Sequence, residues 1–151
     1  MSLTIWAKRV RTFFRIDNKL KFEFVQAFIY TGIARAFILF VPFNKLRKRM
    51  GKHKEESAEK VERDICKKAM HIGWVVRVVS GHTPWESKCL VQALTAQKML
   101  KSNGISTTLY LGVKKDHKNN MLAHAWLRCG EYYVTGGGNR TGYAVVAKFS
   151  N

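Results

Sequence analysis

The sequence is poor in cysteine, proline and acidic residues. Its 151 residues include three cysteines, two prolines and 10 acidic side chains against 27 lysines and arginines, so the net charge is +17. Cys66, Cys89 and Cys129 are odd in number and form no CxxC pair, which argues against a disulfide framework and against a zinc site. We therefore predict free thiols in a reducing, cytoplasmic compartment, and no metal or other cofactor.

Several targeting and binding signals are also missing. The first residues lack the uninterrupted apolar run and cleavage site of a signal peptide, and the chain has no internal repeat. No zinc-finger spacing, RNP motif or basic helix-turn-helix signature accompanies the positive charge. Because that charge covers both halves of the chain, we expect an acidic peptide, an acidic protein or a membrane surface as partner, and no nucleic acid.

Residues 1–53 form a basic, aromatic-rich region that we predict to be helical. Its longest apolar stretch, residues 22–43, is interrupted by charged side chains, so a core or partner-binding helix is favoured over a membrane span. Pro42 ends this helix. Residues 45–54 are a strongly basic connector, either a solvated linker or a contact for acidic groups. We predict that the region contacts a partner or peripherally contacts a membrane.

Residues 54–151 are predicted to be one α+β domain. Apolar residues at helical spacing predict a helix over residues 55–79. Pro84 and Ser87 before, and Gly104 after, predict a second helix over residues 87–100. The pattern then changes to strands joined by a turn at Gly130-Glu131, which indicates helices followed by an antiparallel sheet. The predicted strands are residues 106–113, 123–128, 132–135 and 143–149.

Cys89 and His124 are the candidate catalytic pair, since they fall at the start of the second helix and inside a strand. The positive end of a helix dipole stabilises a thiolate, and an imidazole within reach can take the proton. His124 is preferred as the base because the strand sets its direction and its alanine neighbours leave room. Four other histidines compete with it: His53, His71, His82 and His117.

The acid that would normally orient the imidazole is missing. No aspartate follows Asp116. If Cys129-Gly130 is a tight hairpin turn, Arg128 pairs with Glu131 and Thr135 lies opposite His124, so Thr135 and Gly136 occupy the place of the acid. The candidates to orient the imidazole are a backbone carbonyl, Thr135, Glu131 and Asn139.

An oxyanion would be met by the backbone N–H of Cys89 and by one donor from the segment before it. Trp85 lies in that segment and is a candidate oxyanion donor or substrate wall.

Three stretches carry a resemblance to a known family. Residues 84–94 (PWESKCLVQAL), 104–113 (GISTTLYLGV) and 123–130 (AHAWLRCG) resemble, in this order, the transglutaminase-like leader peptidases of lasso-peptide biosynthesis. The resemblance covers about residues 60–150. It implies a papain-like fold and a cysteine peptidase that removes the leader from a precursor peptide through a thioacyl-enzyme on Cys89, with His124 as base.

The resemblance also implies partners. The short chain is similar to the split variant, in which a separate leader-recognition protein delivers the precursor and a lasso cyclase acts next. Family members have Cys, His and Asp, and this chain departs from them at the acid. Two alternatives stay open: an acyltransferase or transglutaminase of the same fold, and a non-catalytic basic binding scaffold.

Overall fold

The computed structural model describes residues 3–151, and side chains from residue 4 onward. Two short 3-10 turns, Arg47–Arg49 and Gly137–Asn139, accompany the regular elements. In chain order the helices and strands are α1 (Leu3–Arg15), α2 (Asn18–Phe40), α3 (Phe43–Leu46), β1 (Lys52–His53), α4 (Arg63–Ser80), α5 (Cys89–Ser102), β2 (Thr108–Lys115), β3 (Met121–Cys129), β4 (Tyr132–Thr135) and β5 (Ala144–Ser150).

The strands form one antiparallel sheet in the order β1-β5-β2-β3-β4. Helices α4 and α5 pack on one face of it, and α2 packs on both helices. The architecture confirms the predicted α+β class, helices followed by a small antiparallel sheet and preceded by a helical region. Strand β1 was not predicted; it pairs only two residues, Lys52 with Ser150 and His53 with Phe149.

The ends of α2 follow from local chemistry. Asp17 caps its start, because the carboxylate accepts a hydrogen bond from the Lys19 N–H at 3.2 Å. Val41 has extended backbone angles because Pro42 disfavours the helical conformation in the residue before it. The helix buries one stripe of small residues against the domain: Ala27, Thr31 and Ala34.

Helix α4 begins at Arg63, so the prediction of a helix from residue 55 was wrong at its start. Residues 56–58 lie instead against the outer face of the sheet, where the Arg128 guanidinium donates to the Ser57 carbonyl at 3.1 Å and to the Gly130 carbonyl at 2.6 Å. Arg128 is buried, and a buried guanidinium must find acceptors. The Ser57 carbonyl is one of these acceptors, and a helix through residues 56–58 would use it internally.

The alternation of side chains along β3 divides the sheet into two faces. Ala125, Leu127 and Cys129 point into the core beneath α4 and α5. His124 and Trp126 share the opposite face, where their rings stack with centroids 5.7 Å apart.

Residues on both sides of the predicted boundary at residue 53 contribute to one core. Leu46 and Met50 are buried in the same cluster as Leu127. The Gln97 side-chain amide also donates to the Met50 carbonyl at 2.7 Å. The two predicted regions therefore share a core.

Candidate active site

Cys89 is the first residue of α5, in the first turn as predicted, and is half-buried. The segment before it is tied down by hydrogen bonds. The Thr83 hydroxyl donates to the Trp85 carbonyl at 2.9 Å and lies 2.7 Å from the Ser87 hydroxyl. The Gln92 side chain donates to the Ser87 carbonyl at 2.9 Å. These bonds fix where the helix begins and therefore where the thiol lies.

The first turn of α5 has free backbone donors. Lys88 stands at the N-cap position and its side chain makes no capping bond. The Gln92 N–H bonds to the Lys88 carbonyl at 3.0 Å, and the preceding N–H groups of the helix have no acceptor within residues 3–151. Free N–H groups and the positive end of the helix dipole can stabilise an anion beside Cys89, either a thiolate or an oxyanion.

The His124 ring is held by a backbone carbonyl. Its Nε2 lies 2.8 Å from the Gly136 oxygen, and the ring packs between Trp126 and Tyr143, whose centroids are 5.7 and 5.2 Å away. A carbonyl only accepts, so Nε2 carries the proton and Nδ1 holds the lone pair. Nδ1 makes no hydrogen bond to any residue that the structure describes, which leaves it available as a base.

Gly136 can hold this position because it lacks a side chain. Its φ is +69°, and a Cβ there would lie 2.5 Å from the Ala125 oxygen and 3.2 Å from His124 Nε2. Of the orienting groups considered from the sequence, the backbone carbonyl is the one that contacts the imidazole. Gly136 is one of the two residues, with Thr135, that stand where an acid was expected from the sequence.

The side chains proposed as orienting residues do not reach His124. Thr135 pairs with Leu127, because the hairpin closes with Cys129 opposite Tyr132 and a bulge beside Leu127 shifts the register by one more residue. The expected pairing of Thr135 with His124 was therefore wrong. Its buried hydroxyl has no hydrogen-bond partner in the described chain. Glu131 is exposed at the β3–β4 turn, and the part of β3 that separates it from His124 is about 17 Å long. Asn139 is exposed in the turn after β4 and makes no hydrogen bond to the ring within residues 3–151.

Cys89 and His124 are not in direct contact through a hydrogen bond. The thiol makes none to any described residue, although α5 packs against β3. His124 lies on the face of β3 opposite to Leu127, which α5 helps to cover. Catalytic hydrogen bonds are often long in substrate-free enzymes and tighten when substrate binds. The roles of Cys89 as nucleophile and His124 as base therefore stay predictions.

Trp85 joins the segment before Cys89 to α2. Its indole N–H donates to the Thr31 hydroxyl at 3.3 Å, and its ring centroid lies 4.9 Å from that of Phe28. Gly32 allows this approach, because a Cβ there would come within 3.1 Å of the indole. The engaged N–H is not free to bind an oxyanion, which corrects one of the two roles predicted for Trp85; a substrate wall stays a prediction.

An ion pair that was not predicted from the sequence also joins α2 to the segment before Cys89. Arg35 of α2 lies 2.9 Å from Glu86, which also pairs with Lys88. The hydrogen bond from Lys88, together with the charges of Lys88 and Arg35, lowers the pKa of the Glu86 carboxyl. The available signal was Arg35 itself, a charged residue in an otherwise apolar stretch.

Two of the competing histidines are engaged elsewhere. His71 Nε2 lies 2.6 Å from a Glu23 carboxylate oxygen, and His82 Nδ1 lies 2.8 Å from the Val78 carbonyl. These contacts tie both rings to helix surfaces.

The three thiols also differ in their surroundings. Cys129 is fully buried, and burial raises the pKa of its thiol. Cys66 is half-buried and faces the Val61 carbonyl at 3.9 Å. Cys89 is the first residue of its helix, beside the free N–H groups. Cys66 is the fourth residue of α4, and its N–H already bonds to the Glu62 carbonyl at 3.1 Å, so Cys89 is the best candidate nucleophile.

Cys89 stands at a free helix N-terminus, and its helix packs against the strand that carries His124. A family profile described as the transglutaminase-like superfamily matches residues 37–148, so the chain belongs to that superfamily. Its members are generally catalytic, as cysteine proteases or transglutaminases. The match confirms the coarse family inferred from the sequence. No curated protein and no solved structure matched the chain.

Proposed function

We propose that this protein is a cysteine peptidase that removes the leader from a ribosomally synthesised lasso-peptide precursor. The observation that carries the proposal is Cys89 at the uncapped start of α5, in a chain of the transglutaminase-like superfamily. The resemblance of residues 84–130 to leader peptidases supports the choice of substrate. A separate recognition protein would present the precursor, and a lasso cyclase would use the product.

The first half of the proposed reaction forms a thioester. His124 Nδ1 takes the proton of the Cys89 thiol while Nε2–H stays bonded to the Gly136 carbonyl. The sulfur then adds to the scissile carbonyl, and the resulting oxyanion accepts hydrogen bonds from the first turn of α5. When the C–N bond breaks, His124 returns the proton to the departing amine, and the leader remains as a thioester on Cys89.

The second half releases the leader. Water loses a proton to His124 Nδ1 as its oxygen adds to the thioester carbonyl. The C–S bond then breaks, the leader leaves as a carboxylic acid, and the proton returns to the Cys89 sulfur. If an amine takes the place of water, the same steps form an amide, which is the acyltransferase alternative.

A neutral carbonyl in place of an acid has an energetic consequence. Gly136 fixes the direction of the imidazole, but its oxygen stabilises an imidazolium less than a carboxylate would. We therefore expect slow cleavage of a free precursor and faster cleavage when the recognition protein holds the substrate in place. The net charge of +17 would favour encounter with an acidic complex.

The test combines this protein, a candidate precursor and its recognition protein, and measures free leader by mass spectrometry. Wild-type protein should release it, and Cys89→Ala should lower kcat/KM by at least about 1,000-fold while still binding the precursor complex. Cys66→Ala is the matched control, because that half-buried thiol lies away from the start of α5 and should keep its activity.

Other outcomes separate the alternatives. A product that carries an added amine instead of water would identify an acyltransferase. Binding of the complex with no product of either kind would reject the enzyme and leave a scaffold. Full activity in Cys89→Ala would reject Cys89 as the nucleophile.

A further inference from the structure

Helix α2 is apolar on two opposite faces. One face packs against α4 and α5, where Ala27, Thr31 and Ala34 are buried. The opposite face is bare within the described structure, and Phe40 is 82 % exposed there. Exposed contiguous apolar surface on a folded domain normally marks an interface. The bare stripe repeats at helical spacing and consists of Phe22, Val25, Ile29, Ile33 and Phe40.

Helix α1 continues this surface and is amphipathic. Trp6, Val10 and Phe14 follow one another at intervals of four residues, so they lie on one side of the helix, and Phe14 is 71 % exposed. The basic side chains of α1 leave that side apolar. Lys8, Arg11 and Arg15 repeat at intervals of three and four residues on a different side.

An open apolar groove joins the two helices. It has a volume of about 440 Å³ and lies between α1, α2 and the end of α4. Phe13 lines it from α1, Val25 and Phe28 line it from α2, and Arg9 lies at the same groove. The groove therefore connects α1 to α2, and Val25 belongs both to the groove and to the bare stripe of α2.

Charge identifies the kind of surface that would cover this face. Residues 1–22 contain six lysines and arginines and a single acidic residue, Asp17. Lys21 lies over the Phe14 ring with its ammonium 6.0 Å from the centroid, so a cation stands directly beside an exposed aromatic ring. Aromatic side chains with adjacent cations are the pattern by which helices bind the interface of an anionic bilayer.

We propose that α1 and the outer face of α2 lie in the surface of an anionic lipid bilayer, with their axes along the membrane plane. Trp6, Val10 and Phe14 enter the boundary between headgroups and acyl chains, and the basic residues of α1 contact lipid phosphates. The proposal does not depend on the chemistry at Cys89.

The contacts of α2 favour a surface position over a span. By length and composition this helix could cross a membrane. Its inner face, however, carries charged groups that pair with the domain, Glu23 with His71 and Arg35 with Glu86. A spanning α2 would have to break both pairs and uncover the core beneath it.

Vesicle co-sedimentation tests the proposal with the full chain. Wild-type protein should sediment with phosphatidylcholine vesicles that contain phosphatidylglycerol, should stay in solution with phosphatidylcholine alone, and should be released by added salt. The triple variant Lys8→Gln, Arg11→Gln, Arg15→Gln should bind about 100-fold more weakly, at about five-fold for each charge removed. The matched control replaces three exposed lysines outside α1 and α2: Lys67→Gln, Lys68→Gln and Lys118→Gln.

A second variant tests the apolar stripe. Trp6→Ser with Phe14→Ser should abolish sedimentation, whereas Met121→Ser, 63 % exposed at the start of β3, should not. Trp6→Phe should still bind the vesicles, because phenylalanine keeps an apolar ring at this position. It should lose the vesicle-induced blue shift of tryptophan fluorescence, because the Trp6 indole that reports the shift is gone. Circular dichroism checks that each variant is folded.

Two results would overturn the proposal. One is wild-type protein that stays in solution with phosphatidylglycerol vesicles, even if it binds a recognition protein through the same helices. The other is sedimentation of both α1 variants at the wild-type level.

Discussion

The sheet with its two helices and the α1–α2 pair differ in how many of their faces are covered. In the sheet region both faces of the second half of β3, residues 125–129, are protected: α4 and α5 cover Leu127, and residues 56–58 lie over the outer face, held by Arg128. Helix α2 is covered on one face only, and Phe40 on the other is 82 % exposed. Both regions are rich in apolar residues, so the difference comes from the number of layers and not from composition.

This difference separates two tasks. The Gly136 carbonyl and the rings of Trp126 and Tyr143 give His124 a fixed direction, which a general base requires. A bare apolar face contributes nothing to such a site, but it can bind another surface. Trp85 and the Arg35–Glu86 pair connect the two regions immediately before Cys89.

The largest expected contrast is in stability. Leu127→Ala should lower the free energy of unfolding by about 2–5 kcal/mol, because it leaves a cavity in a fully buried site. Phe40→Ala should change it by less than about 0.5 kcal/mol, because the ring is already in solvent. Urea unfolding of both variants measures the difference. An equal loss in the two would show that the outer face of α2 is buried in solution.

The second contrast lies beside the histidine. Gly136→Ala should cost about 1–3 kcal/mol of stability, since the new Cβ would meet the Ala125 oxygen, and should lower kcat/KM about 10-fold or more by turning His124. Gly138→Ala is the control, because a Cβ there meets nothing within 4 Å. Thermal unfolding and leader release compare the two. Equal kcat/KM in both variants would remove the Gly136 carbonyl from the mechanism.

The smallest effect concerns the outer cover of the sheet and depends on pH. Hydrogen bonds from Lys148 and Tyr110, with the charges of Lys148 and Arg128, hold the pKa of Glu56 below its ordinary value of 4.5. A lowered folded-state pKa adds stability above about pH 4.5 that is lost as the pH falls through the folded-state pKa. Glu56 is partly exposed, so the gain should be less than about 1 kcal/mol.

Urea midpoints measured from neutral pH down to acid check this expectation. Glu56→Gln should have a lower urea midpoint than wild type at neutral pH, and this difference in midpoint should disappear in acid. Glu131→Gln, at an exposed site remote from His124, should follow the wild-type curve and keep its kcat/KM. If the difference in midpoint between Glu56→Gln and wild type stays the same in acid, Glu56 stabilises the fold through packing and not through its charge.

The helix start and the strands near the site could be predicted because their signals are local. Cys89 falls in the first turn of α5 because Pro84, Ser87 and Gly104 bound the helix. The turn at Gly130-Glu131 and the returning strand Tyr132–Thr135 were also predicted correctly. In each case the deciding residues lie within a few positions of the element.

The errors arose where distant residues decide the structure. The helix predicted over residues 55–79 begins only at Arg63, because Arg128, about 70 positions later in the chain, binds the carbonyls of Ser57 and Ala58. Strand β1 depends on the far end of the chain through two residue pairs. The expected pairing of Thr135 failed because the hairpin turn is Gly130-Glu131 and not Cys129-Gly130. The bulge beside Leu127, which leaves no plain signal in the sequence, shifts the register by one more residue.

The sequence alone determined the chemical groups and their elements: a thiol at a helix start, a histidine in a strand, a missing acid and a large positive charge. The tertiary structure decided the partner of the histidine, because the Gly136 carbonyl meets His124 twelve positions away in the chain, where the backbone takes a left-handed conformation that glycine permits. It also decided which face of α2 is buried, because the stripe of small residues meets a second layer and the stripe of large apolar residues does not.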